Sequence, residues 1–139
     1  MPSIRSSIRQ RVAALRSSDL PLQVQAFDLL QLGAETVGID EVLFVRENAD
    51  FVSDIMANRN IEGAALERLQ QQGKAIELYE ANLKDRFKGL QPYERLRVLY
   101  SSTGRYADAI RVCQDYIAYG EVDERGKARY REWIAEHEQ

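Results

Sequence analysis

The chain has few of the residues on which disulfide frameworks, zinc sites and catalytic triads depend. Its 139 residues include one cysteine, Cys113, and one histidine, His137. A single cysteine cannot form a disulfide framework, and together the two residues cannot supply the usual ligand sets for zinc. A low cysteine content is typical of proteins in a reducing compartment, and we therefore expect a cytoplasmic protein. The lack of zinc ligands predicts that it holds no metal.

Motifs for catalysis and nucleotide binding are also missing. No glycine-rich phosphate loop occurs. His137 lies close to the C-terminus, where helices fray. Cys113 falls on the inner face of a predicted helix, where a thiol is more typical of a small buried apolar residue than of a nucleophile. We therefore expect no enzymatic activity and no cofactor.

Proline and long apolar runs are scarce. There are three prolines, and the eight glycines fall mainly at breaks between periodic segments, which favours helices over sheet. No apolar run approaches the roughly 20 residues that cross a bilayer, so no transmembrane segment is predicted. Hydrophobic and charged contents of 45% and 29% are ordinary for a globular protein. The sequence predicts one all-α domain covering residues 1–139.

Residues 93–120 contain two apolar stripes with helical spacing. The first stripe comprises Tyr93, Leu96, Leu99 and Tyr100, and the second comprises Tyr106, Ala109, Ile110, Cys113 and Ile117. Between them Gly104 can adopt the left-handed conformation that ends a helix. Neither helix can bury its stripe alone, so the pair is predicted to fold into an antiparallel hairpin.

The order of residues in this hairpin resembles a tetratricopeptide repeat (TPR). The resemblance rests on Tyr93, Leu96, Tyr100, Gly104, Tyr106, Ala109 and Ile110. Two bulky residues, Arg97 and Tyr116, stand where the family has small ones, and no proline closes the repeat. These departures indicate wider helix spacing or a terminal repeat. The resemblance implies a short right-handed superhelix, an α-solenoid, whose concave face binds partner segments.

A 34-residue period extends the resemblance upstream. Pairs of apolar residues separated by 34 positions are Leu66 and Tyr100, Ala75 and Ala109, Ile76 and Ile110, Tyr79 and Cys113, and Leu83 and Ile117. The upstream repeat, at about residues 61–87, is degenerate because Glu62 and Gln70 stand in the places of Leu96 and Gly104. The period favours a hairpin there, but the lack of a good breaker before Gly73 is also compatible with one continuous helix.

The rest of the chain is predicted to contribute further helices, about seven in all. We expect an N-terminal helical cap at residues 1–60, two TPR-like hairpins at 61–120 and a C-terminal capping helix at 121–139. The predicted N-caps are Asp19, Asp40, Asn60 and Asp123. The predicted core face of the second helix comprises Leu22, Phe27, Leu29, Leu30 and Leu32. The distribution of aromatic residues predicts two packing regions that share one continuous core.

The first helix is basic and the segment after it is acidic. Arginines at positions 5, 9, 11 and 16 give residues 1–18 a charge of +4, whereas residues 19–73 carry ten acids and three bases. Arg5, Arg9, Arg11 and Arg16 therefore admit three interpretations. They can belong to a structural helix packed on the acidic segment, to a transit peptide, or to a basic arm for an acidic partner, an anionic membrane or nucleic acid.

The same period places polar residues on successive first-type helices. Arg129 follows Arg95 by one period, and Arg125 follows Gln91 by the same interval. In the resembled family these positions face the concave groove, so Gln91, Arg95, Arg125 and Arg129 are candidate partner-binding residues for a segment bearing carboxylates. The alternative is a solvated charged face in which Arg125 pairs with Glu121, or Arg129 with Glu132.

These patterns predict a non-catalytic protein–protein interaction module, an adaptor, scaffold or assembly factor that binds another protein through its concave face. One alternative is a structural subunit packed permanently in a larger assembly or with copies of itself. The other is contact with an anionic surface or nucleic acid through the basic N-terminal helix. Four charges without interleaved aromatic residues are a weak signal for nucleic acid.

Overall fold

Seven helices connected by short turns make up the computed structural model, which describes residues 4–138. The helices are α1 (Ser6–Arg16), α2 (Leu22–Glu35), α3 (Ile39–Arg68), α4 (Gln72–Lys84), α5 (Gln91–Ser102), α6 (Tyr106–Tyr119) and α7 (Glu124–His137). No strand occurs in the described range. The predicted all-α class is confirmed.

The chain divides into two compact units, the first ending at Ala57 and the second beginning at Asn58. The boundary lies inside α3, slightly before the subdivision predicted within a single domain. Each unit has its own cluster of buried apolar side chains. These clusters agree with the two packing regions that the sequence predicted, and their union in one continuous core stays a prediction.

In the first unit, α1, α2 and the beginning of α3 surround a core that includes Val12, Leu29 and Val52. Two residues predicted for this core, Phe27 and Leu30, are instead 50% and 56% exposed. Apolar residues cover more than half the circumference of α2, so sequence alone could not decide which of them face inward. Pro21, not Asp19, is the N-cap of α2, and it caps without a side-chain hydrogen bond.

Helix α3 joins two helices that the sequence predicted separately. Asn60, predicted as an N-cap, lies in its interior. The Asn60 side chain accepts a hydrogen bond of 2.8 Å from the buried Asn82 amide, so it does not compete with the helical backbone. Nearby, Arg59 binds the Asp85 carboxylate at 2.6 Å. Asp40, another predicted cap, is also inside the helix, in its first turn.

Residues 61–87 form a helix–turn–helix rather than one continuous helix. Helix α3 ends at Arg68 and α4 begins at Gln72. The reversal is possible without glycine because Gln70 adopts a positive φ of 61°. Close packing of the two helices needs a residue without a side chain at Gly63, where a Cβ would lie 2.6 Å from the Tyr79 ring.

The α3–α4 and α5–α6 turns are equivalent when one is shifted along the chain by the repeat period. The first helices end at Arg68 and Ser102, and the second helices begin at Gln72 and Tyr106. Gly104, one period after Gln70, also has a positive φ, of 79°. The backbone hydrogen bond that closes each turn runs from Gln71 to Leu66 at 2.9 Å and from Arg105 to Tyr100 at 2.8 Å. The superhelical arrangement of these hairpins stays a prediction.

Tyrosine rings form the centre of the second unit. Tyr116 packs edge-on against Tyr93 and Tyr130, with ring centroids 5.1 Å and 5.3 Å apart. Its hydroxyl donates a 2.9 Å hydrogen bond to Asp123, whose carboxylate also accepts from the Gly126 N–H. Tyr116 thus packs against Tyr130 of α7 and hydrogen-bonds the residue that caps this helix. The prediction that Asp123 caps α7 is confirmed.

Candidate partner-binding site

The four candidate partner-binding residues lie on two helices of the second unit and have different environments. Gln91 and Arg95 lie on α5 and contact a polar cluster that includes residues of α3 and α4. Arg125 and Arg129 lie one turn apart on α7 and are exposed. The sequence predicted one partner-binding face for all four residues, and Gln91 and Arg95 have a different environment from that of Arg125 and Arg129.

Arg95 is engaged by a carboxylate of its own chain. Its Nη2 donates to Glu67 Oε1 at 2.6 Å, and its Nε lies 3.1 Å from Glu67 Oε2. The Tyr79 hydroxyl donates to the same carboxylate at 2.6 Å, and the Gln91 side chain hydrogen-bonds that hydroxyl. Gln91 and Arg95 therefore connect α5 to the preceding hairpin.

The electrostatics of this cluster favour charged Glu67. Burial raises the pKa of the Glu67 carboxyl, but hydrogen bonds from Arg95 and Tyr79 and the charge of Arg95 outweigh it, so the pKa is lowered overall. The pKa of Arg95 is raised, chiefly by its hydrogen bond to Glu67. Both pKa shifts indicate that Glu67 and Arg95 stabilise each other's charged forms.

Arg125 and Arg129 have no such partner. Within residues 4–138 neither arginine forms an ion pair, so the pairings with Glu121 and Glu132 considered above are not found there. Arg129 acts on Asp123 only at longer range. The pKa of Asp123 is lowered first by the Gly126 N–H, then by the Tyr116 hydroxyl, and less by the charge of Arg129.

Arg129 lines a pocket between α5 and α7 that we call the α5–α7 pocket. Its volume is about 170 Å³, and its lining residues are Leu90, Glu94, Arg97, Gly126, Arg129, Tyr130 and Trp133. Tyr130 is buried and Trp133 is half-buried. The pocket thus combines an apolar and aromatic lining with the exposed guanidinium of Arg129.

Arg97 and Glu94 form one wall of the α5–α7 pocket. The Arg97 Nη2 lies 2.6 Å from Glu94 Oε1, and its guanidinium carbon lies 5.3 Å from the centroid of the Trp133 ring. The Arg97 side chain is directed toward α7. This orientation accommodates it at a position where the resembled family has a small residue. One period earlier in the chain the equivalent residue is Gly63, which meets the ring of Tyr79 directly.

The end of α7 is fixed by aromatic stacking. The His137 ring stacks on Trp133 with centroids 4.0 Å apart and on Tyr106 at 5.6 Å. Its Nδ1 lies 2.8 Å from the Trp133 carbonyl oxygen. Although fraying is expected near the C-terminus, helix α7 extends to His137, and the His137 ring packs on these two rings. The Trp133 ring therefore has contacts on both sides of it in sequence, with the Arg97 guanidinium of α5 and with the His137 ring of α7.

The four N-terminal arginines contact the first unit itself. Arg5 lies 3.7 Å from Glu41, and Arg11 lies 3.6 Å from Glu35. Arg9 and Arg16 lie over the rings of Phe44 and Phe51, with guanidinium carbons 5.9 Å and 4.7 Å from the centroids. This placement agrees with the first of the three interpretations, a helix packed on the acidic segment. Residues 1–3, the beginning of the predicted N-terminal cap, lie outside the described residues.

Sequence reasoning missed Glu67 as the partner of Arg95, and it missed the α5–α7 pocket. The interval between Glu67 and Arg95 matches no helical or repeat spacing. The pocket had a signal in the period, since Tyr130 and Trp133 follow Leu96 and Leu99 by one period each. The period gives their positions along α7, but an opening beside them depends on the three-dimensional packing of α5 and α7.

The groups that could carry chemistry are few in the described part of the chain. Cys113 is fully buried, and burial raises the pKa of its thiol to about 12, so the thiolate is negligible at neutral pH. No group of three or more His, Cys, Asp or Glu side chains within residues 4–138 could hold a metal ion. None of the helices in this range combines the length and apolar character needed to cross a membrane.

No protein-family model, curated protein or solved structure matches this chain. The geometry of the second unit is therefore the basis for a functional proposal.

Proposed function

We propose that the protein is a non-catalytic interaction module of TPR-like design, a cytoplasmic adaptor or assembly factor, and that α5 and α7 bind a carboxylate-bearing segment of a partner protein. The equivalence of the two turns at the repeat period supports the TPR-like design. Two observations carry the binding proposal: Arg125 and Arg129 are exposed and form no ion pair within residues 4–138, and Arg129 lines the α5–α7 pocket.

The two arginines suit a carboxylate. A guanidinium presents a planar set of N–H donors that matches a carboxylate in bidentate geometry, and it remains charged at any physiological pH. Arg125 and Arg129 are one helical turn apart on α7, so an extended acidic segment can reach both. Arg95 has a supporting role in this proposal, because Glu67 already uses its donors.

The pocket suits one side chain of such a segment. An apolar cavity of about 150 Å³ can hold a benzene molecule, so about 170 Å³ can accept one aliphatic or aromatic side chain. Leu90 and Trp133 supply apolar contact, and Arg129 lies at the same pocket. We therefore expect a large apolar residue adjacent to an acidic one in the partner.

The test compares two double variants with the same change of charge. The wild-type protein, Arg125→Ala/Arg129→Ala and the control Arg68→Ala/Lys74→Ala, whose residues are also exposed, are used to capture partners from a lysate of the source organism. The segment of a captured partner is then titrated as a tryptophan-free peptide. Trp133 is the only tryptophan, so its fluorescence reports occupation of the pocket.

We expect the wild type and the control to bind the peptide equally and the Arg125/Arg129 variant to bind at least about tenfold more weakly, because hydrogen bonds to charged groups contribute about 1.5–3 kcal/mol each. Equal weakening of both double variants would mean that only net charge matters. Unchanged binding by the Arg125/Arg129 variant, or no change of Trp133 emission, would refute this site.

A further inference from the structure

The α2–α3 hairpin of the first unit has two sides, and α1 covers one of them. Residues 36–38 connect the two helices, and Gly33 of α2 lies against Val45 of α3. α1 lies on one side through Ile8, Val12 and Leu15, which pack on the buried cluster of this unit.

Polar contacts at defined positions join α1 to the α2–α3 hairpin. α1 is an amphipathic helix with a narrow aliphatic stripe and flanking arginines. Arg11 pairs with Glu35 of α2, Arg5 pairs with Glu41 of α3, and Arg16 donates a 2.8 Å hydrogen bond to Asn48. The hairpin therefore already receives one basic amphipathic helix.

The opposite side of the hairpin presents a second apolar groove. It has a volume of about 280 Å³, and its residues include Leu30 and Ala34 of α2 and Val42 and Arg46 of α3. Leu30 is 56% exposed. Ile39 and Leu43, on neighbouring turns of α3, are 71% and 49% exposed and extend the apolar surface.

An acidic row runs beside this groove. Glu47, Asp50 and Asp54 follow Leu43 at helical spacings along α3 and are all exposed. None of them forms an ion pair with another described residue. Arg46 is the one basic residue in this stretch of α3, so the local charge is negative.

We propose that this groove binds a basic amphipathic helix of a partner protein. Two antiparallel helices leave between them a channel into which the side chains of a third helix can pack, the helix-in-groove mode of recognition. Aliphatic residues of the partner helix contact Leu30, Val42 and Leu43. Its lysines or arginines face Glu47, Asp50 and Asp54. The site uses residues of the first unit alone, so it does not depend on the function proposed for α5 and α7.

A second copy of this chain fits the groove less well than a basic helix does. A symmetric dimer places the same patch on both partners. Two identical rows of Glu47, Asp50 and Asp54 would then lie close together and repel each other, with one Arg46 per copy to offset them. The charge of the groove thus selects a partner of opposite sign.

The probes are three fluorescein-labelled helical peptides of about 18 residues, roughly five turns. One has a leucine stripe with lysine and arginine flanks, the second has the same stripe with glutamate flanks, and the third is a scrambled version of the basic peptide. Fluorescence anisotropy measures binding to the full-length protein. Sedimentation velocity on the protein alone measures self-association.

The variants separate apolar contact from charge. Leu30→Glu disrupts the groove, and Glu47→Gln/Asp50→Asn/Asp54→Asn removes the acidic row without changing the apolar residues. Val122→Glu is the matched control, because Val122 is 95% exposed and belongs to the second unit. Circular dichroism confirms that each variant retains its helices.

We expect the basic peptide to bind at least about tenfold more tightly than the glutamate-flanked and scrambled peptides. Leu30→Glu should weaken it by at least about tenfold, and Val122→Glu should leave it unchanged. The triple variant should abolish the preference for the basic peptide and its dependence on salt.

Four results would overturn the proposal. They are no binding of the basic peptide at about millimolar protein concentration, equal binding of the glutamate-flanked or scrambled peptide, wild-type binding by Leu30→Glu, and a dimer that Leu30→Glu dissociates. The last result would assign the groove to a second copy.

Discussion

Arg95 illustrates how a partner within the chain changes the role of a residue. Its position on α5 matches that of Arg129 on α7, yet Arg95 binds Glu67 with two nitrogens and Arg129 has no ion pair within residues 4–138. The residue one period before Arg95 is Ile61, which is uncharged. The repeat period therefore gives no indication that Arg95 pairs with Glu67. Glu67 makes Arg95 a link between helices.

The Glu67 pair should make stability depend on pH. The pKa of Glu67 is lowered in the folded protein from its unfolded value near 4.5. Its stabilising contribution is therefore fully present above the unfolded pKa and is lost as the pH falls through the folded pKa. Glu67→Gln should lower the free energy of unfolding at neutral pH by about 1.5–3 kcal/mol, the value of a hydrogen bond to a charged group. Below both pKa values the variant and the wild type should converge.

Urea unfolding at a series of pH values checks this expectation. Glu62→Gln is the control, because Glu62 is an exposed carboxylate on the same helix. The control should follow the wild type throughout the series. A constant difference between Glu67→Gln and the wild type from neutral to acidic pH would mean that packing, not charge, is responsible.

At the scale of the helical elements, the two hairpin turns show the same backbone conformation with different residues. Gln70 and Gly104 both have positive φ, and both are exposed. A side chain at positive φ brings its Cβ close to the carbonyl oxygen, whereas glycine avoids this contact. The degenerate turn therefore keeps its geometry at a cost in free energy.

Exchanging the residues at these two positions should change stability in opposite directions. Gln70→Gly should stabilise the protein by up to about 1 kcal/mol, because removal of the strained Cβ outweighs the added freedom of the unfolded chain. Gly104→Gln should destabilise it by about 1–2 kcal/mol, although no atom beyond the adjoining residues lies within 4 Å of the new Cβ.

Thermal and urea unfolding measure both effects. Gln71→Gly is the control. Gln71 has a negative φ of −105°, so glycine there should only destabilise. Equal loss of stability in Gln70→Gly and Gln71→Gly would contradict the role assigned to the left-handed residue.

At the scale of the whole molecule, two buried clusters divide the chain. Leu29 belongs to the cluster of the first unit and Leu96 to that of the second, and both side chains are fully buried. A cavity made in one cluster removes contacts from that cluster alone. Local stability can therefore differ between the units.

Leu29→Ala and Leu96→Ala should each raise amide hydrogen exchange mainly within one unit. Each substitution should cost about 2–5 kcal/mol in the affected cluster. Mass spectrometry of exchanged peptides should show the increase in α1 and α2 for Leu29→Ala and in α5 and α6 for Leu96→Ala. A uniform increase along the chain in both variants would instead indicate one cooperative folding unit.

The features that could be predicted correctly from the sequence depend on local spacing. Apolar periodicity predicted the helical class, and the repeat period predicted hairpin turns whose helices begin at equivalent positions. Asp123 was correctly predicted to cap α7 because the group it binds, the Gly126 N–H, lies in the first turn of that helix. In each case the interacting groups are neighbours along the chain, so their distance is fixed by helix geometry.

The features that could not be predicted from the sequence depend on residues distant in the chain. Asn60 stays inside α3 because Asn82 binds its side chain, and Arg95 is occupied because Glu67 lies beside it. Leu30 remains exposed because other residues of the same apolar helix form the core. Helical periodicity indicates which face a residue occupies, but the packing of other helices determines what that face contacts, and therefore which arginines and apolar side chains are accessible to a partner.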